Sequence, residues 1–182
     1  KKYKAFAENF LWVGKTKHNG LGIFARRNLK MSALGWESGN LELFLPCTID
    51  NRITLLAVWT RQANSPTFQY IGQAWKYLQE HKSKLPLTRT IIGGDFNSNA
   101  CWDKWDRWWN HSDVVRELKE IGVKTVISNA LILYLRNGSE IIKKFGGLRN
   151  FMNHKGINFT DSGGFQMYSP RIYINSNDKG VH

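Results

Sequence analysis

ITLLAVW at residues 53–59 and TRTIIGGDFN at residues 88–97 bracket the part of the chain that decides the fold. The first run is β-branched and apolar throughout, which suits a central strand buried on both faces. The second is a strand that runs into Gly93 and Gly94, with Asp95, Phe96 and Asn97 emerging at its C-terminal end. Between them, Phe68, Ile71, Trp75 and Leu78 recur at helical spacing over residues 67–82, behind the stop-like Asn64-Ser65-Pro66. That spacing predicts an amphipathic helix. Strand, helix, strand is an α/β arrangement.

Working outward, GLGIFAR at 20–26 and LELFL at 41–45 are short apolar runs flanked by Gly, Asn or Pro, as strands of a sandwich are. Residues 112–122, SDVVRELKEIG, predict a helix capped by Ser112, with Val115, Leu118 and Ile121 at spacing three and Gly122 as its stop. From Val123 the pattern restarts. KTVISNALILYL at 124–135 is strand-like; residues 138–153 carry Ile141, Ile142, Phe145 and Leu148 around a Gly146-Gly147 break; GINFT at 156–160 is a further short strand ending at Asp161. Such a β/α/β order suits the opening of a parallel barrel, with Asp161 just past a strand's C-terminal end. From pattern alone, completion of the first domain's sheet is the simpler account.

A length of 182 residues with 42% hydrophobic residues allows one ordinary domain, or one domain plus a fragment. The net charge of +12 predicts attraction to polyanions, with nucleic acid (DNA or RNA) as the expected partner. Both parts share it, with 18 Lys/Arg against 11 Asp/Glu in residues 1–122 and 8 against 3 beyond. Two cysteines, Cys47 and Cys101, exclude a disulfide framework and show no metal-binding spacing, so they read as buried thiols in a reducing cytoplasm. No apolar run reaches membrane-spanning length and no signal peptide opens the chain; no membrane association and a cytoplasmic location are expected.

Asp95 and Asn97 beyond a buried strand can orient a water and bind a phosphate, although an Asx turn accounts for the same residues. Trp102, Trp105, Trp108 and Trp109 alternate with Asp103, Lys104, Asp106 and Arg107. They can stack bases between cations, or form one face of a short helix packed on the core, which is the simpler account. His111 is expected in a loop.

GGDFN, preceded by LLAVWT and followed by NSNACWDKWDRWWNHSDVV, is similar to the endonuclease/exonuclease/phosphatase superfamily across residues 1–122. The resemblance implies a layered α/β sandwich and Mg²⁺-assisted attack of water on a phosphoester. Asp95 would orient the water, and Asn97 would hold the phosphate and is the candidate metal contact. The family's early-strand glutamate and late aspartate-histidine pair have no counterpart here, so this sandwich is expected to lack its first and last strands.

TDSGGFQMYS at 160–169, with SNALILYLRNGSEIIKKFGGLRNFMN upstream, resembles the N-terminal part of an archaeal-type tRNA-guanine transglycosylase over residues 123–182. That resemblance implies tRNA as partner and Asp161 in the base-exchange pocket, in proton transfer or base recognition. Ser162, Gly163, Gly164 and Gln166 would be substrate-binding residues of the same pocket. Base exchange needs an extruded nucleotide and a carboxylate nucleophile. The family's nucleophile and zinc ligands fall later in its chain, so zinc is not expected here.

Together these expectations describe an α/β chain: an incomplete layered sandwich (1–122) followed by the opening β/α units of a TIM-type barrel (123–182). Its leading function would be a metal-dependent phosphodiesterase or nuclease joined to a fragment of a tRNA base-exchange enzyme. Transglycosylase activity and non-catalytic binding of nucleic acid are the alternatives.

Overall fold

The computed structural model describes residues 9–25, 29–63, 67–86, 89–123, 125–152, 155–161, 176–177 and 180–181. Its internal contacts divide the chain into Lys1–Gly122 and Val123–His182. Both units are mixed α/β. Among the described residues no helix is long and apolar enough to cross a membrane.

The first unit opens with an antiparallel hairpin of β1 (Asn9–Thr16) and β2 (Asn19–Ala25), which lies against a four-stranded sheet. That sheet runs β3 (Met31–Ala33), β4 (Phe44–Ile49), β5 (Ile53–Trp59), β6 (Thr90–Asp95), with β5 and β6 parallel. Parallel neighbours need a crossover, and α1 (Ile71–His81) supplies it. Phe44, Leu56 and Val58 form the core with Ile71, Ala74, Tyr77 and Leu78 of α1, and with Val114 of α2 (His111–Glu120). The Phe44 and Tyr77 rings stack with centroids 4.2 Å apart. Leu45, Cys47 and Ala57, on the opposite pleat, are also buried. Burial of β4 and β5 on both faces is what their unbroken apolar runs require.

Three boundaries differ from the sequence pattern, each for a backbone reason. The strand expected at 41–45 begins at Phe44, because Gly39 and Leu43 turn the chain at positive φ (54° and 61°). It then continues through Pro46, one residue past the end of the β3 ladder, where Leu34 N–H donates to the Pro46 carbonyl. A missing N–H on that side leaves no ladder bond unmade. The helix expected from residue 67 begins at Ile71, since Tyr70 sits at φ 49° outside helical space. Cys47 is buried as expected, whereas Cys101 is exposed.

In the second unit the strand-like run 124–135 divides into β7 (Thr125–Asn129) and α3 (Ala130–Asn137). Apolar runs of this length do not separate strand from helix by periodicity, and Ala-Leu-Ile-Leu favours the helix. α4 (Ser139–Lys144) and α5 (Leu148–Phe151) follow, broken where Gly146 and Gly147 take φ 75° and 106°. β8 (Ile157–Asp161) returns parallel to β7, with Thr125 opposite Ile157 and Asn129 opposite Asp161. Ile157 and Phe159, two apart on β8, are more than half exposed. A short antiparallel pair, β9 (Ser176–Asn177) and β10 (Gly180–Val181), completes the described elements.

Candidate functional site

Asp95 closes β6 beside Trp59, the last residue of β5. One Asp95 carboxylate oxygen accepts the Asn97 backbone N–H at 2.9 Å, and the Asn97 side-chain amide donates to the Thr60 carbonyl at 2.8 Å. Asn97 stands at φ 41°, a left-handed conformation that Asn tolerates better than most residues. Thr60 N–H donates in turn to the Asp95 carbonyl at 2.9 Å, and its hydroxyl to the Phe96 carbonyl. The Asx turn thus ties the two strand ends together, and the Asn97 amide nitrogen is engaged with backbone. Among the described residues no three His, Cys, Asp or Glu side chains converge to hold a metal.

Behind it, α2 is capped differently from the expected Ser112. Asn110 precedes the first turn, and the Asp113 carboxylate accepts the Asn110 backbone N–H at 2.7 Å. The Asp103 carboxylate accepts the His111 and Ser112 N–H groups at 2.8 and 3.2 Å. Two carboxylates at a helix N-terminus satisfy otherwise orphaned donors and complement its dipole. Because Asp103 is eight residues upstream of His111, local capping patterns do not show it. His111 is helical and meets the Ser98 hydroxyl at 3.1 Å through Nδ1. Burial lowers its pKa, and the nearby Asp103 charge opposes this in part.

The four tryptophans do not share one helical face. Trp108 meets Trp75 edge-on at 4.8 Å, and Trp109 covers Gly72 beneath the Arg107 guanidinium, 4.3 Å from its ring. A Cβ at position 72 would come 2.6 Å from the indole, so the glycine is what admits it. Trp105 is 99% exposed. Packing therefore accounts for Trp108 and Trp109 but not for Trp105.

In the second unit Asp161 ends β8 directly opposite Asn129, which ends β7. Parallel strands bring these two positions to one edge, at the C-terminal ends where parallel barrels place reacting groups. Asn129 is not among the residues expected from sequence; its signal is Ser128-Asn129, the polar pair that interrupts the apolar run 126–135. Ser162, Gly163, Gly164 and Gln166 lie outside the described residues.

A family model described as queuine tRNA-ribosyltransferase matches residues 114–182, so that the C-terminal stretch is similar to tRNA-ribosyltransferases. The match begins within α2, ahead of the division at Gly122. Among curated proteins, the queuine tRNA-ribosyltransferase of Buchnera aphidicola (Schizaphis graminum) is 49% identical over 67 residues, 37% of this chain and 18% of that protein. The Thermoanaerobacter pseudethanolicus enzyme is 57% identical over 65 residues, 36% of this chain and 17% of that protein. A putative queuine tRNA-ribosyltransferase of Archaeoglobus fulgidus is 52% identical over 54 residues, 30% and 13% respectively. The chain thus spans under a fifth of the length of these relatives.

These matches correct the leading expectation of a metal-dependent phosphodiesterase or nuclease. The family they bring out is a tRNA-ribosyltransferase. The hydrolase and magnesium expectations find no support in these matches, and the GGDFN segment forms a strand-end Asx turn.

Proposed function

We propose that the C-terminal unit is the opening β/α/β portion of a tRNA-guanine transglycosylase barrel, with Asp161 in its base-exchange pocket. One observation carries this reading. The match over residues 114–182 falls on a parallel β7–β8 pair joined by helices, and the aspartate of TDSGGFQ ends β8. A carboxylate suits the task, because guanine presents a ring N–H and an amino group side by side, and an ionised carboxylate accepts both. An extruded nucleotide would bring that edge to Asp161. Ser162 and Gln166 would add polar contacts, while Gly163 and Gly164, lacking side chains, would let the base lie against backbone. The partner is tRNA, whose phosphates suit a chain of net charge +12.

Binding of guanine, followed by calorimetry, tests this, because the nucleophile that exchange requires is not among the residues of this chain. Asp161→Asn is expected to weaken guanine binding about 10-fold or more, through loss of a charge-assisted pair of hydrogen bonds, with tRNA affinity held within about threefold because the phosphate contacts carry most of it. Equal guanine affinity in the variant, or binding of neither guanine nor tRNA by the unsubstituted chain, would refute the proposal.

A further inference from the structure

Beyond the C-terminal end of α1 the sheet borders an open groove of about 470 Å³, within the size range of small-molecule sites. Alternation along β5 sets its floor. Thr54, Leu56 and Val58 point to one face of the sheet. Leu56 and Val58 pack with α1, whereas Thr54 lines the groove, with Thr48 opposite it across the β4–β5 ladder. Leu34, Trp36 and Leu85 supply apolar walls. The Trp36 ring is held by stacking on His81, with centroids 5.7 Å apart and an interplanar angle of 22°.

Two polar groups of this groove have bonding capacity to spare. Thr54 is only 8% exposed, yet its hydroxyl has no hydrogen-bond partner among the described residues. A buried hydroxyl left unpaired is unfavourable, and a ligand oxygen that pairs with it relieves that cost. Lys84, exposed in the turn after α1, meets no carboxylate among the described residues. Its ammonium lies 3.2 Å from His81 Nδ1, and His81 Nε2 lies 2.7 Å from the Glu37 carbonyl. Nε2 therefore donates to that carbonyl and Nδ1 accepts from the ammonium, whose other protons stay available. No acidic side chain lines the groove among the described residues. An unbalanced cation, an unpaired hydroxyl and a flat indole together select an anion with a planar apolar body. One ammonium matches one negative charge, which favours a carboxylate over a phosphate dianion. We infer that this groove binds a small aromatic carboxylate, with its ring against Trp36 and its oxygens held by Lys84 and the Thr54 hydroxyl. The lining residues lie outside residues 114–182, so the inference does not rest on the base-exchange reading.

Calorimetric titration of the full chain with naphthoate, with uncharged naphthylmethanol and with inorganic phosphate tests this. Naphthoate is expected to bind the most tightly of the three. Lys84→Met should weaken it about 10-fold or more, because a hydrogen bond to a charged group is lost. Thr54→Val keeps the side-chain shape and should weaken it about 5-fold, the effect of one neutral hydrogen bond. The thermal midpoint of Thr54→Val should be no lower than the parent's, since no hydrogen bond within the protein is removed; a hydroxyl with a structural role would lower it. Lys104→Met removes an exposed cation that does not line the groove and should keep naphthoate affinity within about twofold, since remote surface charges are screened by salt. No heat from naphthoate at millimolar concentration, or equal or tighter binding of the alcohol or of phosphate, overturns the inference. So does unchanged affinity in Lys84→Met or Thr54→Val, a lowered midpoint in Thr54→Val, or an equal loss in Lys84→Met and Lys104→Met.

Discussion

Gly93 and Gly94 are adjacent in β6, yet their replacement by alanine should have very different effects. Gly94 lies opposite Val58 in the parallel β5–β6 register and takes φ 140°. A Cβ there would stand 1.8 Å from the Val58 carbonyl oxygen, whereas one at Gly93 would meet nothing within 4 Å. Relief of that clash requires β6 to move away from β5. A side chain forced into so sparsely populated a conformation costs about 1–3 kcal/mol. Breaking roughly two ladder hydrogen bonds adds about 1 kcal/mol each. Gly94→Ala should therefore destabilise the N-terminal unit by about 3–5 kcal/mol, a large share of a domain's usual stability. In urea, with a slope of about 2 kcal/mol/M, the midpoint followed by tryptophan fluorescence should fall by about 2 M. Gly93→Ala should move it by less than about 0.5 M, because its backbone suits an ordinary residue. Equal midpoints for the two variants would refute the close approach of β5 and β6 as the reason for glycine at position 94.

The α2 terminus and the core carry further expected outcomes. Asp103→Ala should cost about 1–2 kcal/mol in the same assay through loss of its cap on His111 and Ser112. His111 has a lowered pKa, so the unfolded chain takes up its proton first; stability should be full above the ordinary histidine value of 6.5 and decline as pH falls below it, a slope that His111→Gln should flatten. The Tyr77 hydroxyl is buried and finds no partner among the described residues, so Tyr77→Phe should change stability by less than about 1 kcal/mol. Tyr77→Ala, by emptying the ring's place against Phe44, should cost about 3–5 kcal/mol.

Local sequence determined β5 over Ile53–Trp59, the helical break at Gly146-Gly147 and the end of β8 at Asp161. Each depends on residues near one another: an unbroken apolar run, glycines free to take positive φ, a polar residue after a strand. TDSGGFQ also pointed to the transglycosylase family that residues 114–182 match. GGDFN was legible as a strand end but not as to its use. Its partner, the Thr60 carbonyl, is 37 residues from Asn97 and is brought there only by the β5–β6 pairing. Separation in sequence also hid the Asp103 cap and the placing of Asn129 opposite Asp161. Periodicity and propensity report which face of an element is apolar. Which residues of two elements meet is set by strand register and chain crossover, and those exist only once the chain has folded.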